Sequence, residues 1–274
     1  LRVLGVDFTS RPRPDKAISC AHAKLSDRRL YIERVETFHD FGGFEDLLRR
    51  PGPWVGGFDF PFSLPRELVE QLGWPLEWRA LIGEVTRLSR EAFRDRLDEV
   101  RQARPFGARY LHRATDLSAR SSSPMKLHNP PVGLMFYEGA PRLAASGATV
   151  FPCAEGDPDR IALEAYPALL ARQVTRVSYK SDLRSQQSLE RSCARSAIIE
   201  ALRTMGASWL GFDVKLPGEV EKSAHADGSG DRLDAILCAC AAAWAQIRSH
   251  FGTPLDVDRL EGWIVGPLPN AVPA

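Results

Sequence analysis

The sequence predicts an α/β fold: a mixed five-stranded sheet, three antiparallel strands followed by parallel ones, flanked by helices and carrying a helical insertion. Three observations predict it. The first three apolar stretches are separated only by short polar turns, which suits a meander. A helical pattern then precedes a fourth apolar stretch, and right-handed connection rules make that stretch a parallel neighbour of the first. Residues 65 to 148 switch to helical periodicity before strand-like patterning returns.

The elements follow in order. Arg2 to Phe8 reads as a buried strand, ended by Thr9-Ser10 and a turn through Arg11 to Asp15. Ala17 to Leu25 and Leu30 to Thr37 are the next two strands, joined at Ser26-Asp27-Arg28-Arg29. A short helix, about Gly43 to Arg50, leads to the apolar strand Trp54 to Phe62. From Pro65 to about Arg104, Leu81, Ile82, Val85, Leu88, Phe93, Leu97 and Val100 mark one helical face. Residues 100 to 128 lose that period and carry Arg101, Arg104, Arg109, Arg113, Arg120 and Lys126 against Asp116 alone, a pattern expected of a mobile basic loop. A helix near Pro131 to Ser146 follows, then a fifth strand, Arg160 to Tyr166, and a helix opened by Pro167. A helix from about Ser185 to Met205, a looser stretch from 206 to 229, a helix from Asp231 to about His250 and a short strand at Glu261 to Val265 close the chain.

Bulk properties bound the class. With 274 residues, 44% of them hydrophobic, the chain can bury a sizeable core as one domain, 1–274, with its insertion at 65–148. A net charge of +1 points to no globally basic nucleic-acid binder, so any such role must come from local clusters. Five cysteines without a Cys-x-x-Cys pair suit a reduced, cytoplasmic protein. No apolar run approaches a membrane span, and the N-terminus opens directly into a strand pattern.

Acids in apolar surroundings are the chemical signal. Asp7, between Val6 and Phe8, and Asp59, between Phe58 and Phe60, each end an apolar strand, where an unpaired carboxylate costs several kcal/mol. If those strands are parallel neighbours, the two acids lie side by side. Asp231 and Asp234, three apart at the start of a helix, point the same way and repel, an arrangement that a cation would relieve. No obvious Lys or Arg partner converges with these acids, and the cluster suits an oxygen-ligand site for Mg²⁺ or Mn²⁺. Simpler roles stay open: loop hydrogen bonding for Asp7 and Asp59, and helix capping for Asp231.

Gly5-Val6-Asp7, Asp59-Phe60-Pro61, Glu164-Ala165-Tyr166-Pro167, Gly230-Asp231 to Ala235 and Glu261-Gly262-Trp263-Ile264, in that order, resemble the RNase H-like superfamily. The stretch Asp231 to Ala235 is most similar to its Holliday-junction resolvase branch, and the whole series resembles a domain-of-unknown-function family described as nucleases of RNase H-like fold. The insertion has no counterpart in the minimal fold. The resemblance implies a hydrolase of phosphodiester bonds in nucleic acid, DNA or RNA, working with two metal ions. It implies Asp7 bridging both ions, Asp59 at one, and Asp234 with Asp231 at the other.

Further candidates surround this set. Glu164 is a further metal ligand, a substrate contact or a cap of the following helix. Ser10 and Lys180 are within the reach expected for phosphate oxygens, or are a turn serine and a solvated lysine. Arg109, Arg113 and Arg120 would funnel a nucleic-acid backbone towards the metals, or form a solvated surface. His225 is a general base near the site or a loop residue. Two other classes share the fold: a nucleotide-binding, ATPase-like phosphotransferase, disfavoured because no glycine-rich loop follows the first strand, and a binding protein without catalysis.

Overall fold

Alternation decides what the first strand, β1 (Arg2–Asp7), offers to each side. Leu4 and Val6 enter one core, while Val3, Gly5 and Asp7 face the other, as a two-residue side-chain period requires. The computed structural model describes residues 1–268 and continues with β2 (Ile18–Ser26), β3 (Arg29–Phe38), α1 (Phe41–Arg49) and β4 (Trp54–Asp59). Helices α2 (Arg66–Gln71), α3 (Trp78–Arg87), α4 (Arg90–Ala103), α5 (Ala114–Ala119) and α6 (Val132–Ser146) follow. The remainder is β5 (Ala148–Phe151), β6 (Asp157–Ala165), α7 (Pro167–Val174), α8 (Leu189–Leu210), β7 (Asp213–Lys215), α9 (Gly218–Ala226), α10 (Asp231–Gln246) and β8 (Ile264–Val265).

The sheet is mixed, as expected, but has eight strands rather than five. Its order is β5-β6-β4-β1-β2-β3-β7, with β8 added beside β6. β1, β2 and β3 form the antiparallel meander, and β4 lies parallel to β1. The closing strand expected at Glu261 to Val265 is present as the two-residue β8, and the strands that were not expected are β5 and β7, of four and three residues. Segments that short display too few alternations to be read as strands, and only the neighbours they pair with define them. For the same reason residues 206 to 229, expected to be loose, contain β7 and the helix α9.

Helices cover both faces. One core holds α1, α2, α3, α4 and α6 against Leu4, Val6 and Phe58, and the other holds α7, α8, α9 and α10 against Val3, Val55 and Leu163. The long periodic stretch after Pro65 breaks at Ser89, whose side chain accepts the Ala92 N–H and starts α4. Residues 100–128 are not a free basic loop. They contain α5, and Leu111, Arg113, Met125 and Leu127 are buried. Among the described residues no helix is long and apolar enough to cross a membrane.

Helix α10 is buried almost all round from Leu233 to Ala245, so its expected single apolar face is only part of what it buries. It lies directly on the sheet. A Cβ on Gly5 would meet the Ala235 carbonyl oxygen at 2.0 Å, and one on Gly57 would meet that of Cys238 at 2.4 Å. Gly5 and Gly57 are register partners in the parallel β1–β4 pair. Together they make a bare floor on which the helix backbone rests.

Candidate metal centre

Register brings the two strand acids together. Asp7 pairs with Asp59 at the C-terminal ends of β1 and β4, both on the face that carries Gly5, Gly57 and α10. Gly230, at φ +80°, turns the chain into α10, and Asp234 in its first turn comes down over the strand ends. One carboxylate oxygen from each of Asp7, Asp59 and Asp234 lies within 4.8 Å of the other two. Asp7 is buried and Asp234 has no exposed surface at all. Three hard oxygen donors at this spacing could hold a divalent cation of the Mg²⁺ or Mn²⁺ kind.

Charge in the cluster is uncomfortable. Burial, then Asp231 and Asp234, push the Asp7 carboxyl well above the usual carboxylate range. Burial lifts Asp59 to about 7; Lys180 opposes the shift, and Asp234 and Glu164 add to it. The sequence pointed to no obvious cation partner for these acids, but the fold supplies two. Lys180 Nζ bonds one Asp234 oxygen, while Tyr179 Oη donates to the other at 2.5 Å. Lys16 Nζ donates to Asp231 at 2.8 Å and also to Asp182. The cluster therefore already draws ammonium groups, which is what a cation site would do.

Two of the expected ligands stand apart from the triad. Asp231 is held by Lys16 and lies outside the 4.8 Å triad, though its charge reaches Asp7, and it does not cap α10 either. That work falls to Asp227, whose carboxylate accepts the Arg232 N–H at 3.0 Å. Glu164 is in register with Phe58, one residue short of Asp59, so it points to the opposite face. There Arg113 meets it with Nη2 at 2.6 Å and Nη1 at 2.8 Å, and the Phe62 N–H donates at 2.9 Å. Arg113 also grips Asp116 and is buried; it lines the cleft, with its guanidinium committed to these two acids.

The acids open into a cleft of about 1240 Å³. Ser10 and Lys180 line it, as expected, although the Ser10 carbonyl oxygen already accepts from Arg90 at 3.1 Å. Arg109 and Arg120 are exposed but do not line it; Arg109 lies over the Phe106 ring. His225 is hydrogen-bonded to Ser192 at 3.1 Å, likewise outside the lining. Lys16 and Tyr179 are the functional neighbours that sequence reasoning missed, and nothing local distinguishes them. Gly5 and Gly57 did carry a signal: each stands two residues before a strand-ending acid, where a glycine marks close backbone approach. No protein-family model, no curated protein and no solved structure matches the chain.

Proposed function

We propose that this chain is a divalent-metal-dependent hydrolase of phosphodiester bonds in nucleic acid, with an RNase H-like arrangement of its acids. The observation that carries the reading is the convergence of Asp7, Asp59 and Asp234 within 4.8 Å at the foot of a cleft lined by cationic side chains. These three carboxylates would hold the ion. When bound, Mg²⁺ or Mn²⁺ supplies Lewis acidity and a water acidic enough to act near neutral pH. A two-ion form would add Asp231, which must then release Lys16.

The protein's own part is charge and position. Lys180, bonded to Asp234, has its ammonium at the site and would turn to a phosphate oxygen once Asp234 serves the metal. Burial works to lower the Lys180 pKa, but Asp234, Tyr179 and Asp7 outweigh it, so the side chain stays charged for that role. The buried Arg113–Glu164 pair, tied to the Phe62 N–H, holds the turn that follows Asp59. A second reading, a nucleic-acid-binding protein without catalysis, draws on the same lysines, which neutralise Asp231 and Asp234 unaided.

One experiment separates the two. Labelled DNA and RNA of several structures are incubated with Mg²⁺ or Mn²⁺ and with wild-type or Asp7→Asn protein, and Mn²⁺ binding is followed by calorimetry. The hydrolase reading expects cleavage that falls on the order of 100-fold or more in Asp7→Asn, together with loss of the Mn²⁺ heat. Cleavage indifferent to the substitution, or no Mn²⁺ heat from wild type, removes it.

A further inference from the structure

The wall of the cleft carries a chemistry that holding a metal does not require. Arg172, at the end of α7, and Arg176, just beyond it, are exposed, line the cleft and enter no ion pair among the described residues. Beside them on the same wall are two apolar side chains open to solvent, Val177 at 40% and Leu183 at 58% exposure. Tyr166 also lines the cleft, with the Arg172 guanidinium 5.4 Å from its ring centre and bonded to its hydroxyl at 3.0 Å. Cations, exposed aliphatic groups and an aromatic ring thus share one surface leading down to Asp7 and Asp59.

From this juxtaposition we infer that the cleft takes an unpaired nucleic-acid strand, DNA or RNA, and not an intact duplex. The inference rests on the phosphodiesterase reading above and names its substrate class. Depth is the first argument. Asp234 is closed to solvent, Asp7 is nearly so and Asp59 is half-buried, so a scissile phosphate has to come in between the walls to reach them. A duplex is stiff, with a persistence length of about 50 nm, and bending one strand into a cleft opposes that stiffness, whereas a single strand bends freely. Surface chemistry is the second. A duplex turns its phosphates outwards and keeps its base faces stacked inside, so Val177 and Leu183 would find nothing apolar to cover. An unpaired strand offers both groups: phosphates for Arg172 and Arg176, and base faces for the apolar positions and Tyr166.

The test is fluorescence anisotropy with labelled oligonucleotides of one sequence, as single strand and as duplex, in DNA and in RNA. Asp7→Asn protein keeps cleavage out of the measurement. The strand is expected to bind at least about 10-fold tighter than the duplex, in DNA, RNA or both, at the same salt concentration. Adding Arg176→Ala, which removes no hydrogen bond among the described residues, should weaken strand binding and lower its salt-dependence slope by about 0.7. Adding Val177→Ser with Leu183→Ser should weaken strand binding and leave duplex binding unchanged. Duplex binding as tight as strand binding, or strand binding indifferent to Arg176→Ala, overturns the inference. Metal-dependent cleavage of duplex with no strand preference would overturn it while leaving the hydrolase reading intact. Strand preference without metal-dependent cleavage would support it and remove the hydrolase reading.

Discussion

Asp59 ends β4 and Glu164 stands one residue before the end of the neighbouring β6, yet one joins the acidic triad and the other a buried ion pair. Register makes the difference, Asp59 lying opposite Asp7 and Glu164 opposite Phe58, so a single residue separates two faces of the sheet. Asp59 is left with a pKa of about 7, raised first by burial. The sign of the linkage follows. Between the unfolded value near 4 and about 7, the folded chain keeps a proton that the unfolded chain has lost, so stability falls as pH rises through that window and is level above it. Asp59→Asn removes this contribution. In metal-free buffer the variant should match wild type near pH 4 and exceed it by on the order of 2 kcal/mol at pH 8, a figure discounted for partial solvation. Urea titrations at the two pH values check it, and a variant less stable than wild type at pH 8 would contradict it.

At the scale of elements, the site depends on how closely α10 lies on β1 and β4. Gly5 and Gly57 allow that approach, and it is the approach that carries Asp234 down to the strand ends. Gly5→Ala would set a methyl group 2.0 Å from the Ala235 carbonyl oxygen and 2.2 Å from the Ala239 nitrogen. Both are backbone atoms in the middle of a buried helix and cannot turn aside. A loss of about 3 kcal/mol or more is expected in urea unfolding, at the upper end for overpacking, with weaker Mn²⁺ binding in the folded fraction. Gly83 in α3 is the control. A Cβ there meets nothing within 4 Å, so Gly83→Ala should stabilise by about 0.5–1 kcal/mol.

For the whole molecule, segments distant in the chain meet at one place: the strand ends of β1 and β4, the start of α10, and the lysines of the 9–16 and 175–183 stretches. An ion held by that assembly binds only the folded chain. Mn²⁺ at 100 times its Kd should add about 2.7 kcal/mol to unfolding and raise Tm by several degrees. Because Asp59 holds its proton below about 7, the rise should shrink as pH falls through that value. Differential scanning calorimetry with and without Mn²⁺, at pH 6 and pH 8, measures both effects. An equal Tm rise in Asp7→Asn would place the ion elsewhere.

Local pattern was enough for the meander, the parallel return of β4, the helix at Asp231 and the company of Asp7, Asp59 and Asp234, because each rests on a short-range period and one connection rule. It was also enough to mark Asp7 and Asp59 as misplaced in apolar strands. What the tertiary structure alone decided was partnership. Lys180 comes to Asp234 across 54 residues, Lys16 to Asp231 across 215, and Arg113 to Glu164 across 51. Such pairings arise from register and from loops folded back over the sheet, and neither leaves a period in the chain. Thus the sequence by itself determined which acids are costly to bury, and only the fold decided which of them form the triad and which of them, Asp234 within it and Asp231 and Glu164 outside it, meet a cation.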